Sequence, residues 1–172
     1  MGGESVKVGE NRYRERFGRY FEDFAVGATY EHRPGRTISE ADNTWFTLLT
    51  MNTHPIHFDA EYARHSEFGR PLVVSTLTLS IVVGMSVSDT SQKAIANLGW
   101  EKITLPEPVF AGDTLYAEST VLAKRESKSR PDQGIVTIRT IGRNQRQEVV
   151  CDFERTMLVM RRGNTLEERA NY

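Results

Sequence analysis

The residues with the greatest chemical capacity stand together in one short run, Asn52-Thr53-His54-Pro55-Ile56-His57-Phe58-Asp59. An imidazole gains and loses a proton near neutral pH, so His54 and His57 can serve as general acid or base. Two histidines three apart are also half of a metal site. Cys151 is the sole cysteine, and His32 and His65 stand at no recognisable ligand spacing. A metal would therefore lack its remaining ligands, and neither metal nor cofactor is expected. The plainest alternative makes both histidines loop residues that hydrogen-bond the backbone. Asn52 offers a carbonyl and an NH₂ group that can orient a water, but an amide cannot take its proton as a carboxylate would. Asp59 fits the N-cap of a helix starting at Ala60.

The elements that must hold this run can be read on either side of it. Thr29 to Arg33 predicts a strand ending at Pro34-Gly35. Ser39-Glu40-Ala41-Asp42 has capping-box spacing, and Trp45, Phe46, Leu48 and Leu49 follow at helical period. Pro55 breaks that helix, and a short one runs from Ala60 to about Ser66 before Gly69. Leu72 to Val87 is apolar on every side, which predicts a helix buried all round. Three long runs follow, Leu115 to Leu122, Ile135 to Ile141 and Val149 to Met160, with β-branched residues and partial alternation. They read as an antiparallel meander. A sheet wrapped around a central buried helix is the α+β arrangement this order predicts. No linker or repeat divides the chain: residues 19–162 form one domain, 1–18 a flexible arm and 163–172 a polar tail.

Composition narrows the partners. The chain has 172 residues and a formal charge of −1, with acids and bases interspersed. That leaves no electrostatic case for nucleic acid or an anionic membrane surface. Met1 to Arg19 has no apolar h-region. The Leu72 to Val87 stretch is interrupted by Ser75, Thr76, Thr78, Ser80, Gly84 and Ser86, and it falls short of the roughly 20 apolar residues of a membrane span. The lone Cys151, in a strand-like apolar run, is expected to be an inert core thiol in a reducing, cytoplasmic setting.

The motif run resembles the hydratase motif of the MaoC-like family, the R-specific enoyl-CoA hydratases and dehydratases with a hot-dog fold. The family's Asp-x-Asn-Pro-[Leu/Ile]-His followed by x-Asp is matched by Asn52 to Asp59. The likeness continues through Ala60-Glu61-Tyr62-Ala63, Phe68-Gly69-Arg70-Pro71-Leu72-Val73 and Pro108-Val109-Phe110-Ala111-Gly112-Asp113, and covers about residues 20 to 162. It implies a hot-dog domain, a homodimer paired at sheet edges, an acyl-CoA substrate, and hydro-lyase chemistry with His57 as general base. Ser75 falls where the family's Gly donates a backbone N–H to the thioester carbonyl. Asn52 replaces the family's catalytic Asp, and His54 its Asn. Three arrangements follow from that loss: His57 acts alone on a water placed by Asn52; His54, Asp59 or Asp42 supplies the missing group; or the chain binds without turnover.

The chain as a whole, and the segments "TMNTHPIHFDAEYA" and "SVSDTSQ" in particular, resembles the members that act on short branched dicarboxylic acyl-CoAs of mesaconyl, itaconyl or β-methylmalyl type. Arg70 is the basic residue expected at the substrate, while Lys124, Arg125, Lys128 and Arg130 are further candidates for the coenzyme A phosphates. The rival readings are a thioesterase on the same fold and a non-catalytic acyl-CoA-binding subunit.

Overall fold

The computed structural model describes residues 4–163 and 165–171. Two strands, β1 (Glu4–Gly9) and β2 (Arg12–Arg16), pair as an antiparallel hairpin separate from the main sheet. This hairpin occupies most of the stretch expected as a flexible arm. It lacks the apolar alternation that marks a strand in sequence, because every residue of β2 is exposed. Residues 1–3 lie outside the described residues.

The main sheet begins with β3 (Thr29–Thr37), which runs four residues beyond the Arg33 expected as its end. Its register against β5 shifts between His32 and Arg36, so the strand absorbs Pro34-Gly35 as an irregularity where the sequence predicts a stop. The helix α1 (Glu40–Thr50) starts at the expected capping box: Ser39 Oγ accepts from Asp42 N–H and Asp42 accepts from Ser39 N–H. The short α2 (Ala60–Arg64) is capped by Asp59, whose carboxylate accepts from Tyr62 N–H at 2.9 Å. The apolar helix α3 (Ser75–Ser86) continues as a π-helical turn over Val87–Ser91.

Four strands complete the sheet: β4 (Ala94–Thr104), β5 (Thr114–Glu126), β6 (Gln133–Arg143) and β7 (Val149–Met160). The order is β3-β5-β6-β7-β4, antiparallel throughout. The expected meander is β5-β6-β7, and β4 adds an edge strand. Where a polar tail is expected, Thr165 and Glu168 form a capping box and α4 (Leu166–Ala170) follows. Buried Lys93 pairs with Glu167 and ties α4 to the start of β4.

One face of the sheet is buried, as the alternating burial along β5 and β6 requires. Most of the core lies between that face and α3, where Leu77 and Val82 meet Leu115, Ala117, Val150, Cys151 and Phe153. The helix sits close because β6 has no side chain at Gly142: a Cβ there would stand 2.6 Å from Val82 Cγ2. Buried Arg155 of β7 donates to the Ser86 and Thr90 hydroxyls and so holds the end of α3 on the sheet. No helix among the described residues is long and apolar enough to cross a membrane.

Candidate active site

The turn that carries the histidines is built by its own side chains. Asn52 Oδ1 accepts from His54 N–H at 3.1 Å, and His54 Nδ1 accepts from Ile56 N–H at 3.3 Å. Pro55, with its φ already helical and no N–H to satisfy, starts a single 3₁₀ turn over Pro55–His57. These local bonds aim His57 inward, and Phe58 and Asp59 then lead into α2.

His57 is half-buried, and its ring is fixed from outside the turn. Nδ1 lies 2.8 Å from the carbonyl oxygen of Leu72. A carbonyl only accepts, so Nδ1 carries the proton and neutral His57 presents Nε2 as its free base. The Leu72 segment is itself pinned, since Leu72 N–H donates to Ile56 O at 3.0 Å and Val73 N–H to Val109 O at 2.9 Å. The His57 ring is therefore held by the segment that leads directly into α3.

A cavity of about 280 Å³ opens beside His57, and Glu40, Thr44, Arg70, Phe110 and Ala111 are among its other walls. The Arg70 guanidinium lies flat over the Phe110 ring, 3.8 Å from its centroid. Phe110 and Phe68 meet edge to face at 6.1 Å. Beyond Phe68 a second cavity of about 350 Å³ is lined by Leu72, Ser75, Thr78 and Leu105. Ser75 is the first residue of α3, where backbone N–H groups have no partner within the helix and the helix dipole favours negative charge. An imidazole in one cavity and a helix N-terminus in the next are groups that could take a proton and stabilise a developing oxyanion. A larger cavity of about 600 Å³ lies at the other end of the sheet, between β4 and α4, and contains none of the motif residues.

Of the residues singled out in the sequence, His57 and Arg70 share a cavity and Ser75 lines the adjoining one. Asn52 and His54 line neither. The His54 ring packs 5.7 Å from that of His57 and 6.2 Å from that of Tyr62. Asp59 caps α2, and Asp42 is occupied by Ser39 and Arg36, whose guanidinium lies 2.7 Å away. Two residues in the site were not legible beforehand. Glu40 is the one carboxylate among the residues lining the His57 cavity, and Asn43 bonds to His57, Leu72 and Val74 across the site. The helix period of α1 could have placed both on its inward face, but it assigns them no partner. Lys124, one of the candidates for a phosphate contact, donates from its ammonium to the Phe21 and Phe24 carbonyls. Among the described residues no group of three or more His, Cys, Asp or Glu side chains is placed to hold a metal ion.

The family model for mesaconyl-CoA hydratase matches residues 7–170. The mesaconyl-CoA hydratase of Cereibacter sphaeroides is 37% identical over 84% of this chain and 42% of its own length. The β-methylmalyl-CoA dehydratase of Chloroflexus aurantiacus is 35% identical over 84% of this chain and 41% of its own. The chain therefore spans about two fifths of the length of these curated relatives. The crystal structure of the MaoC-like dehydratase from Rhodospirillum rubrum superposes with a TM-score of 0.74 at 35% identity, covering 85% of this chain and 99% of that one.

Proposed function

This chain belongs to the mesaconyl-CoA hydratase family, and we propose that it reversibly hydrates the double bond of a short, branched, dicarboxylic 2-enoyl-CoA. The observation that carries this reading is His57: its Nδ1 is committed to the Leu72 carbonyl, and its ring borders a cavity that also holds Arg70. In the forward direction Nε2 takes a proton from water as the water oxygen bonds to C3 of the enoyl group. The C2–C3 π pair moves towards the thioester carbonyl, and its oxygen accepts from the N–H groups opening α3 at Ser75. The imidazolium then returns the proton to C2 on the same face, so the addition is syn and the catalyst is regenerated.

The acyl group follows from charge. Arg70, steadied by Phe110, supplies a charge-assisted hydrogen bond to the distal carboxylate. Glu40 lines the same cavity, so the carboxylate must approach from the Arg70 side. Asn52 and His54 act in this reading by shaping the turn that presents His57. We further propose a homodimer: the edge strand β4 exposes Ile95, Leu98 and Ile103, and a second copy would cover them. An acyl-CoA substrate and a buried lone thiol fit a cytoplasmic setting.

The test compares kcat/KM for mesaconyl-CoA and crotonyl-CoA by the absorbance of the conjugated thioester, in wild type and in Arg70→Ala. We expect the dicarboxylic substrate to be favoured, and Arg70→Ala to lose about 10–100-fold on it alone, the worth of one hydrogen bond to a charged group. Equal values in the wild type would discard the dicarboxylate assignment. Release of free coenzyme A thiol, followed with a thiol reagent, would instead identify a thioesterase. Cys151 does not interfere with that assay, because burial removes it from the reagent and pushes its thiol up to about 12.

A further inference from the structure

Asn43, on α1, is 4% exposed, and its side chain makes three hydrogen bonds, all to backbone groups of the site. Its Nδ2 donates to the carbonyl of His57 at 2.7 Å and to that of Leu72 at 3.1 Å. Its Oδ1 accepts from Val74 N–H at 2.9 Å. The Leu72 carbonyl is the same one that receives the His57 Nδ1 proton. Val74 is the N-cap residue of α3, immediately before the N–H groups assigned to the thioester oxygen. One side chain therefore holds the main chain of the base, the acceptor that sets the tautomer of the base, and the entrance of the helix that faces the oxyanion.

The chemistry of the position is restrictive. Two donors and one acceptor must converge within one short planar group, which an amide provides. Leucine fills similar volume and offers none of the three. Serine offers one hydroxyl on a shorter stem. Losing the amide leaves the His57 carbonyl and the buried Val74 N–H without this partner and takes one of two donors from the Leu72 carbonyl. The Leu72 segment can then shift to recover hydrogen bonds despite its contacts to Ile56 and Val109. Such a shift moves the acceptor away from Nδ1, and the proton can then reside on Nε2, the nitrogen that must remain free to take a proton from water.

We propose that Asn43 is a positioning residue for the hydration reaction: it holds His57 in the Nδ1–H tautomer and registers the N-terminus of α3 against that ring. This inference rests on the reading of His57 as the general base. It adds a contact between α1 and the two catalytic elements that the motif around His57 does not contain.

The experiment uses Asn43→Leu, Asn43→Ser and a control, Thr47→Val. Thr47 is buried one turn further along α1, and its hydroxyl donates to Thr44 O, so it makes no contact with His57, Leu72 or Val74 in the hydrogen-bond network. Long-range ¹H–¹⁵N spectra of the imidazole nitrogens at about pH 8, where histidine is neutral, report the tautomer without any turnover. Wild type and Thr47→Val should show His57 as Nδ1–H. Both Asn43 variants should show a large Nε2–H population, with kcat lowered about 10–100-fold and KM within about threefold, the scale of a small misplacement of a catalytic group. Thr47→Val should lower Tm without either change.

Should Asn43→Leu fail to fold, the spectrum of Asn43→Ser decides. A His57 ring that keeps its Nδ1–H tautomer in the folded Asn43 variants overturns the proposal, whatever the activity. A wild-type chain without hydratase activity, or a His57→Ala variant that retains it, refutes the reading of the reaction instead. The tautomer spectrum still judges Asn43 in that case.

Discussion

The His57 ring is held by its contact with the Leu72 carbonyl, and its main chain by Asn43 and a local turn, and these restraints assign different consequences to neighbouring substitutions. Removing the imidazole deletes the proton acceptor while leaving the Pro55 turn intact, since the bonds that shape that turn come from Asn52 and His54. His57→Ala should therefore lower kcat by roughly 10²–10⁴-fold with an unchanged circular dichroism spectrum. Activity within a few-fold of wild type would remove His57 from the mechanism. Asn52 acts on the same ring at one remove, because its Oδ1 receives the His54 N–H. A carboxylate can accept that N–H as well, and a methyl group cannot. Steady-state kinetics on crotonyl-CoA should show Asn52→Ala about tenfold lower in kcat/KM, the cost of one lost hydrogen bond, and Asn52→Asp near or above wild type. A neutral Asn52→Ala would separate this side chain from the placement of His57.

At the scale of elements, the proposed site depends on how closely α3 lies on the sheet, because the N–H groups proposed to face the oxyanion open that helix. That distance is set where Val82 meets the bare backbone of Gly142. Both are fully enclosed, so an added methyl group at 142 cannot be relieved by rotation into solvent. Gly142→Ala should cost about 1–3 kcal/mol in urea unfolding, the usual scale for overpacking a filled core. A variant of unchanged stability would mean that α3 can lift from β6 without loss. The strand β4 illustrates the opposite situation. Its residues are mostly exposed or half-exposed, so the strand is specified by its pairing with β7 and carries little alternating pattern of its own.

For the whole molecule, one buried titratable group outside the site is His32, on β3 and 1% exposed. Its Nδ1 lies 3.0 Å from Asp89 and its Nε2 2.8 Å from the Ser119 hydroxyl, while Arg19 also reaches Asp89 at 3.2 Å. Burial lowers His32 below its ordinary value of 6.5, against the pull of the Asp89 carboxylate. Burial raises Asp89, but hydrogen bonds from His32 and Arg19 outweigh it and hold that carboxyl below its ordinary 3.8. Both shifts have one sign: the unfolded chain binds more protons than the folded one. The stability tied to His32 is complete above 6.5 and is lost as pH falls from there towards the lower folded value, and that tied to Asp89 is lost below 3.8. Calorimetric Tm should therefore decline as pH falls below 6.5, and His32→Gln should flatten that first decline. A Tm that rises on acidification through this range would contradict the assignment.

The amino-acid sequence determined the features that rest on neighbours along the chain. The Ser39–Asp42 capping box, the Asp59 cap, the proline-led turn before His57, the apolar helix and the β5-β6-β7 meander each follow from residues within a few positions of one another. The expected burial of that helix on every side does not hold, because Ser75, Thr76, Ser80 and Gly84 are exposed and only Leu77, Thr78, Val82 and Ser86 are buried. Only the tertiary structure decided which of the polar residues meet. Asn43 reaches Val74 across 31 positions and His57 reaches Leu72 across 15, and no local periodicity encodes such pairings. The same holds for β1, β2 and β4, whose exposed side chains leave no hydrophobic alternation to read. Local hydrogen bonds and apolar spacing fix the elements, whereas the contacts that orient the His57 ring arise when the packing of α1 and α3 brings distant backbone groups together.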